Sequence, residues 1–126
     1  MTVLVDTSVW VAHFRQRDGA LVELIETDQV LAHPMVVLEL ACGTPPAPRA
    51  RTLAALGRLR QVLPSSSTEV MAFVEREKLY GLGCGLVDMT LLTSTLITPG
   101  ARLWTLDRRL ANLAARFGVA HPVSLH

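Results

Sequence analysis

Residues Thr2-Val-Leu-Val5 form an unbroken β-prone run that ends at Asp6, and a helical pattern starts directly after it. A strand without polar alternation is buried on both faces, as in a parallel sheet covered by helices on either side. Thr7 and Ser8 carry side-chain oxygens of the kind that cap helices, and Val9, Trp10, Val11 and Phe14 make an apolar stripe at helical spacing. The order strand, carboxylate, helix puts Asp6 just beyond the carboxyl end of a strand, where open parallel sheets bind ligands. Asp is also among the best helix caps, so a purely structural role for Asp6 stands beside the functional one.

The rest of the chain continues the alternation. Gly19 to Thr27 reads as an amphipathic helix with Leu21, Leu24 and Ile25 inward and Asp18 as its cap, followed by a short strand from Gln29 to His33. Pro34 suits the first turn of a helix that runs to Cys42 and closes at Gly43; this helix is apolar nearly all round, so burial is expected. Thr44-Pro-Pro-Ala-Pro48 is a loop. Helices are predicted from Arg49 to Val62, with Leu53, Leu56, Leu59 and Leu63 inward, and from Thr68, as cap, to Tyr80, with a Pro64–Ser67 linker between them. Gly81-Leu-Gly-Cys-Gly85 is a turn; it lacks the spacing of a phosphate-binding loop. A second apolar helix follows over Leu86–Ile97, then a strand over Arg102–Leu106, a helix over Arg108–Phe117 and a short edge strand over Val119–Val123. The expected class is α/β, a parallel sheet flanked by helices.

At 126 residues the chain suits one domain with a core of its own. Cys42 and Cys84 are far apart and form no metal or redox motif, and neither a basic leader with a cleavage site nor an apolar stretch of about 18 residues occurs. A reduced, cytoplasmic protein with no membrane role is expected. The net charge of +1 alone gives no reason to expect nucleic acid. Lys78 is the only lysine, so eleven of the twelve basic residues are arginines, whose planar fork suits phosphate. A GC-rich genome would produce the same bias, which leaves the positions of the arginines as the useful signal.

The eleven acidic residues fall into two groups. Asp18, Glu23, Glu26, Asp28, Glu69, Glu75 and Glu77 lie among polar neighbours on expected solvent faces. Asp6, Glu39, Asp88 and Asp107 lie in or beside the most apolar segments, where burying an unpaired charge costs on the order of several kcal/mol. Two follow strands and two lie on apolar helices, so all four can converge at the carboxyl edge of the sheet. Capping accounts as well for Asp107 and Asp88, and a buried pair with an arginine for Glu39. Gathered together, the four carboxylates would raise one another's pKa values unless a cation lay among them, and an all-oxygen set favours Mg2+ or Mn2+ over Zn2+.

On these residues the sequence resembles the PIN-domain ribonucleases, in particular the small VapC-type toxins of bacterial toxin–antitoxin pairs. The matching pieces are Val-Leu-Val-Asp6-Thr-Ser-Val-Trp, Glu39 in Pro-Met-Val-Val-Leu-Glu-Leu, Asp88 in Gly-Leu-Val-Asp-Met-Thr-Leu-Leu and Asp107 in Leu-Trp-Thr-Leu-Asp-Arg-Arg-Leu. The resemblance spans 1–126 and implies a single PIN domain with the family's three-layer fold, a short central parallel sheet between helices. It implies catalytic and metal-binding roles for Asp6, Glu39, Asp88 and Asp107, with the hydroxyls of Ser8 and Thr105 lining the same pocket. It further implies an Mg2+- or Mn2+-dependent endoribonuclease, the toxin of a type II pair, in which metal-activated water cuts RNA to leave a 5′-phosphate and a 3′-hydroxyl. A homodimer and a small cognate antitoxin are implied as partners. Arg49, Arg51, Arg108, Arg109 and Arg116 are candidates to hold the RNA backbone, although each also serves as ordinary surface charge. Leu110 stands where the family commonly has an aromatic, and Arg108 and Arg109 where some members have a fifth acid, so one metal is expected more strongly than two. Two other readings remain open: an inert PIN-like protein-binding module, and a Mg2+-dependent phosphatase with Asp6 as nucleophile. Against the phosphatase, Ser8 occupies the place where a second acid is expected, and Lys78 lies on a solvent-facing helix.

Overall fold

The computed structural model describes residues 1–122. Strand β1 (Thr2–Val5) leads through α1 (Thr7–Arg15) and α2 (Gly19–Glu26) to β2 (Val30–Ala32), then through α3 (Pro34–Cys42) and α4 (Arg49–Gly57) to β3 (Arg60–Gln61). The chain returns through α5 (Ser67–Glu77) and α6 (Leu86–Ile97) to β4 (Ala101–Trp104), and α7 (Arg108–Arg116) follows. The sheet is wholly parallel in the order β3-β2-β1-β4, with Val3 opposite Val30 on one side and Arg102 on the other.

β1 is therefore central, and its burial follows: Val3, Leu4 and Val5 are fully enclosed. Crossovers between parallel strands are right-handed, so the helices of the β1-to-β2-to-β3 progression lie on one face and those of the return to β4 on the other. Packing agrees, since α3 contacts α1 and α4, whereas α6 contacts α5, α7 and β4. The result is a three-layer α/β fold. Its direction of winding reverses between β1 and β4, which is the switch point where such sheets open a crevice beyond their strand ends.

The sequence expectation fails locally in four places. The helix expected over Arg49–Val62 stops at Gly57; Arg60 and Gln61 pair with Leu31 and Ala32 as an edge strand, and the Val62 amide donates to Ala32 O at 3.0 Å. The leucine spacing had suggested one continuous helix, but the open edge of β2 supplies backbone partners that outweigh it, and Leu63 is left 52% exposed. α5 is capped by Ser66, two residues before Thr68, in a reciprocal box: the Glu69 amide donates to Ser66 Oγ and the Ser66 amide to Glu69 Oε1. It ends at Glu77 because Lys78 takes a left-handed conformation, φ 55°. α3 is only half buried: Val36 and Leu40 face the core, while Leu38 and Glu39 are exposed. The expected last strand is reduced to a single parallel bridge between Leu103 and Ala120, and Val123 lies outside the described residues.

Candidate active site

Asp6 occupies the N-cap position of α1, yet its side chain makes no capping hydrogen bond. That removes side-chain capping as its role. Its carboxylate is 6% exposed and faces the other way, where Ser8 Oγ and Thr105 Oγ1 each donate to Oδ2 at 2.7 Å. Thr105 lies directly after β4 and Ser8 in the first turn of α1, so the bonds bridge the switch point between β1 and β4. The two hydroxyls are themselves held: the Leu106 amide donates to Ser8 Oγ and the Asp107 amide to Thr105 Oγ1, both at 3.0 Å. Donation to one oxygen leaves Asp6 Oδ1 without a hydrogen-bond partner among the described residues.

The same arrangement recurs at the other acids. Thr7 Oγ1 donates to Glu39 Oε1 at 2.6 Å, tying α1 to α3. Asp107 caps α7, accepting the Leu110 amide on Oδ1 at 3.0 Å. Asp6, Glu39 and Asp107 thus each have one oxygen occupied by a donor of the chain at 2.6–3.0 Å. Asp88, in the first turn of α6, has its pKa raised: burial is the largest cause, followed by the charges of Asp6 and Asp107, with Glu39 the weakest contributor and a Gly85 backbone hydrogen bond opposing. The structure therefore brings all four acids into one electrostatic neighbourhood. None is paired with a cation, for the only ion pair among the described residues is the surface contact of Arg60 with Asp28.

Cys84 belongs to the same region, its thiol pushed up by burial and by Asp88 and Asp107, and pulled down by Arg109. It stays protonated at neutral pH and is no nucleophile. Arg109 Nη1 donates to Gly83 O at 3.4 Å. Gly83 is favoured there by its φ of +87°; a β-carbon would meet the Arg109 side chain, whose flexible end can move aside.

Residues 3–116 match the family described as PIN domain. This chain belongs to the PIN-domain family. It is 45% identical over 118 residues to Ribonuclease VapC32 of Mycobacterium tuberculosis in two strains, CDC 1551 / Oshkosh and ATCC 25618 / H37Rv, with 94% of each chain covered.

In this PIN domain the five candidate RNA-binding arginines part company. Arg108 and Arg109 open α7 beside Asp107. Arg49 donates to the carbonyls of Ala41 and Gly43 at the end of α3, Arg51 borders an apolar groove with Trp10 and Phe14, and Arg116 lies over the Phe117 ring, 5.2 Å from its centroid. Thr7 was legible in sequence only as a capping oxygen, because nothing local reveals that Glu39, 32 residues away, would meet it.

A divalent cation suits this donor set. Four carboxylates without a cationic partner, one of them raised chiefly by burial and further by the charges of the other three, form a surrounding that a bound cation would relieve. Among the described residues no three His, Cys, Asp or Glu side chains close around one point. A hard divalent cation does not need three such ligands, since it can keep several waters and be held by one or two carboxylates together with substrate phosphate.

Proposed function

We propose that this PIN domain is a Mg2+- or Mn2+-dependent endoribonuclease and acts as the toxin of a type II toxin–antitoxin pair. The observation that carries the reading is that Asp6, beside the β1/β4 switch point, Asp107 and Glu39 all act through their charges on Asp88, which burial also raises, and that no cation is paired to any of the four. The name of the M. tuberculosis relative, a ribonuclease, supports RNA as the substrate, and the resemblance to VapC-type toxins supports a cognate antitoxin as the partner. We further take residues 1–126 as a single domain working as a cytoplasmic homodimer. The exposed Leu38, with Met35 and Val87, offers apolar surface for a second chain beside Glu39, and no helix of the described residues is long and apolar enough to cross a membrane.

In this reading Asp6, Asp88, Asp107 and Glu39 would hold the cation, one or two of them directly and the others through its waters. When bound, the cation acidifies a water and neutralises charge on the departing oxygen. The chain contributes orientation: Ser8 and Thr105 fix Asp6, Thr7 fixes Glu39 and the first turn of α7 fixes Asp107, so that each directs its other oxygen away from its donor. Water attacks phosphorus in line with the 3′ oxygen, a carboxylate of the cluster takes the water's proton, and the phosphorus–O3′ bond breaks. The products are a 5′-phosphate and a 3′-hydroxyl. Arg108 and Arg109 stand where they can hold the backbone against the repulsion of the acids.

The test is digestion of end-labelled single-stranded RNA by the purified chain with Mg2+, with Mn2+ and with EDTA. Cleavage that needs the metal and disappears in Asp6→Asn and Asp88→Asn is expected. Cleavage that persists in EDTA or in both variants overturns the mechanism, and a protein that cuts no RNA but still captures a partner returns the inert-module reading.

A further inference from the structure

A cleft of about 460 Å³ opens beside Glu39, between α1 and the proline loop that follows α3. Val11 and Phe14 form one wall, Pro45 and Pro46 face them, and Arg15 stands at the rim. The volume is in the range of small-ligand sites, and the lining has their character, apolar walls with a few polar groups. The prolines fix the backbone of their wall, so the cleft is largely preformed. Arg15 is exposed and forms no ion pair among the described residues.

Resting on the ribonuclease reading above, we propose that this cleft is a subsite for one unstacked RNA base next to the scissile phosphate, with Arg15 holding the adjoining phosphate. Three features assign the occupant. Glu39 lines the cleft and is tied at 2.6 Å to Oγ1 of Thr7, the residue beside Asp6, so a strand whose phosphodiester lies over the acids delivers its neighbouring nucleotide here. Arg15 lines the cleft with Glu39, and Arg109 stands in the first turn of α7 just after Asp107, so two separate guanidinium groups accompany the acids. Single-stranded RNA is read through splayed bases packed on aromatic and apolar surfaces with arginine at the backbone, and Phe14 with Arg15 supplies that pair.

Two substitutions at exposed positions test it without entering the core. Thr44→Trp, from the loop lining the cleft, fills the space, and Arg15→Ala removes the charge. A pool of single-stranded RNA of randomised sequence is digested in Mg2+, and the ends are sequenced. Wild type is expected to show a base bias at one position flanking the cut; Thr44→Trp flattens the bias at that position alone and raises KM about tenfold, the size of one lost base stack. Arg15→Ala raises KM with kcat little changed and makes the salt dependence of RNA binding shallower by about 0.7 in log–log slope, one phosphate contact on a single strand. Both variants keep the wild-type thermal response to Mn2+, which shows the acid cluster intact. Wild-type KM, salt slope and cut-site profile in both variants overturn the subsite while leaving the ribonuclease reading standing. Loss of binding to a partner protein with unchanged RNA cleavage also overturns it and makes the cleft a protein surface. A wild type that cuts no RNA overturns both readings together.

Discussion

Replacing Thr105 by valine removes one oxygen and keeps the shape of the side chain. Thr105 is buried, donates to Asp6 Oδ2 at 2.7 Å and accepts the Asp107 amide at 3.0 Å. Losing a hydrogen bond to a charged group costs about 1.5–3 kcal/mol, and the part-buried Asp107 amide, which water can reach, adds about 0.5–1. Burying a methyl in place of the hydroxyl returns about 0.8 kcal/mol. Ser8 still donates to Asp6, which limits the loss, and the net is about 2 kcal/mol. A chain of 126 residues lies between the size classes for which 1 kcal/mol moves Tm by about 4–8 °C and about 2–4 °C, so a fall of about 6–10 °C is expected in EDTA. Removing a partner that orients a metal ligand typically weakens metal binding about 10–100-fold. At fixed Mn2+ that subtracts about 1.4–2.7 kcal/mol from the metal-dependent stabilisation. Thermal unfolding followed by circular dichroism, with EDTA and with a Mn2+ series, reads both quantities. Thr105→Ser, which keeps the hydroxyl and loses only a methyl, should retain the Mn2+ response. A valine variant that melts within about 2 °C of wild type with an unchanged Mn2+ series would refute the idea that Thr105 holds Asp6.

Three further outcomes follow from the same geometry. Asp88→Asn should stabilise the metal-free protein near neutral pH, by no more than about 1 kcal/mol because solvent screens a half-buried group, while abolishing the Mn2+ response and RNA cleavage; a carboxylate with a raised pKa is least comfortable when charged. The sign reverses the usual carboxylate pattern: the folded state favours protonated Asp88, so this contribution is lost as pH rises through the carboxylate range, and the advantage of Asn over Asp should vanish at the acid end of a Tm-against-pH series. Thr7→Val should leave stability within about 1 kcal/mol of wild type, as its bond is exposed, yet weaken Mn2+ binding in calorimetric titration, with Thr7→Ser restoring it; equal Mn2+ affinity in all three would show the Glu39 contact to be incidental. His33, 4% exposed, accepts the Met35 amide on Nδ1 to cap α3, and burial lowers its pKa. Unfolded chains therefore take up a proton that the folded chain refuses, so stability falls as pH drops below the ordinary imidazole value and levels off beneath the lowered one. His33→Asn, which caps without titrating, should flatten part of that fall, and an unaltered pH profile would assign the acid sensitivity to His121, which burial and Arg102 also push down.

Much of this was open to a reader of the chain alone, because the decisive signals are local. A continuous β-prone run ended by a carboxylate reads as an interior parallel strand, so β1 and the position of Asp6 followed from ten residues. The bounds of α3 and α6 were likewise legible from proline, glycine and periodicity, and the four acids stood out because each interrupts or borders an apolar segment. The site's internal wiring depended on tertiary contacts. Whether Asp6 capped α1 or faced the switch point depended on Thr105, 99 residues away, and the role of Thr7 depended on the approach of α3. The fate of Arg60 and Gln61 was decided by the free edge of β2, since leucine spacing cannot report an unpaired strand elsewhere in the molecule. The same limit separated Arg15 from Arg49: both are arginines near helix ends, and only the packing of α1 against the proline loop leaves one at the rim of a cleft and ties the other to backbone carbonyls. The sequence determined which residues had to be buried or charged and at what period. The tertiary structure decided which of them meet, because distances between segments are set by how the sheet orders its strands.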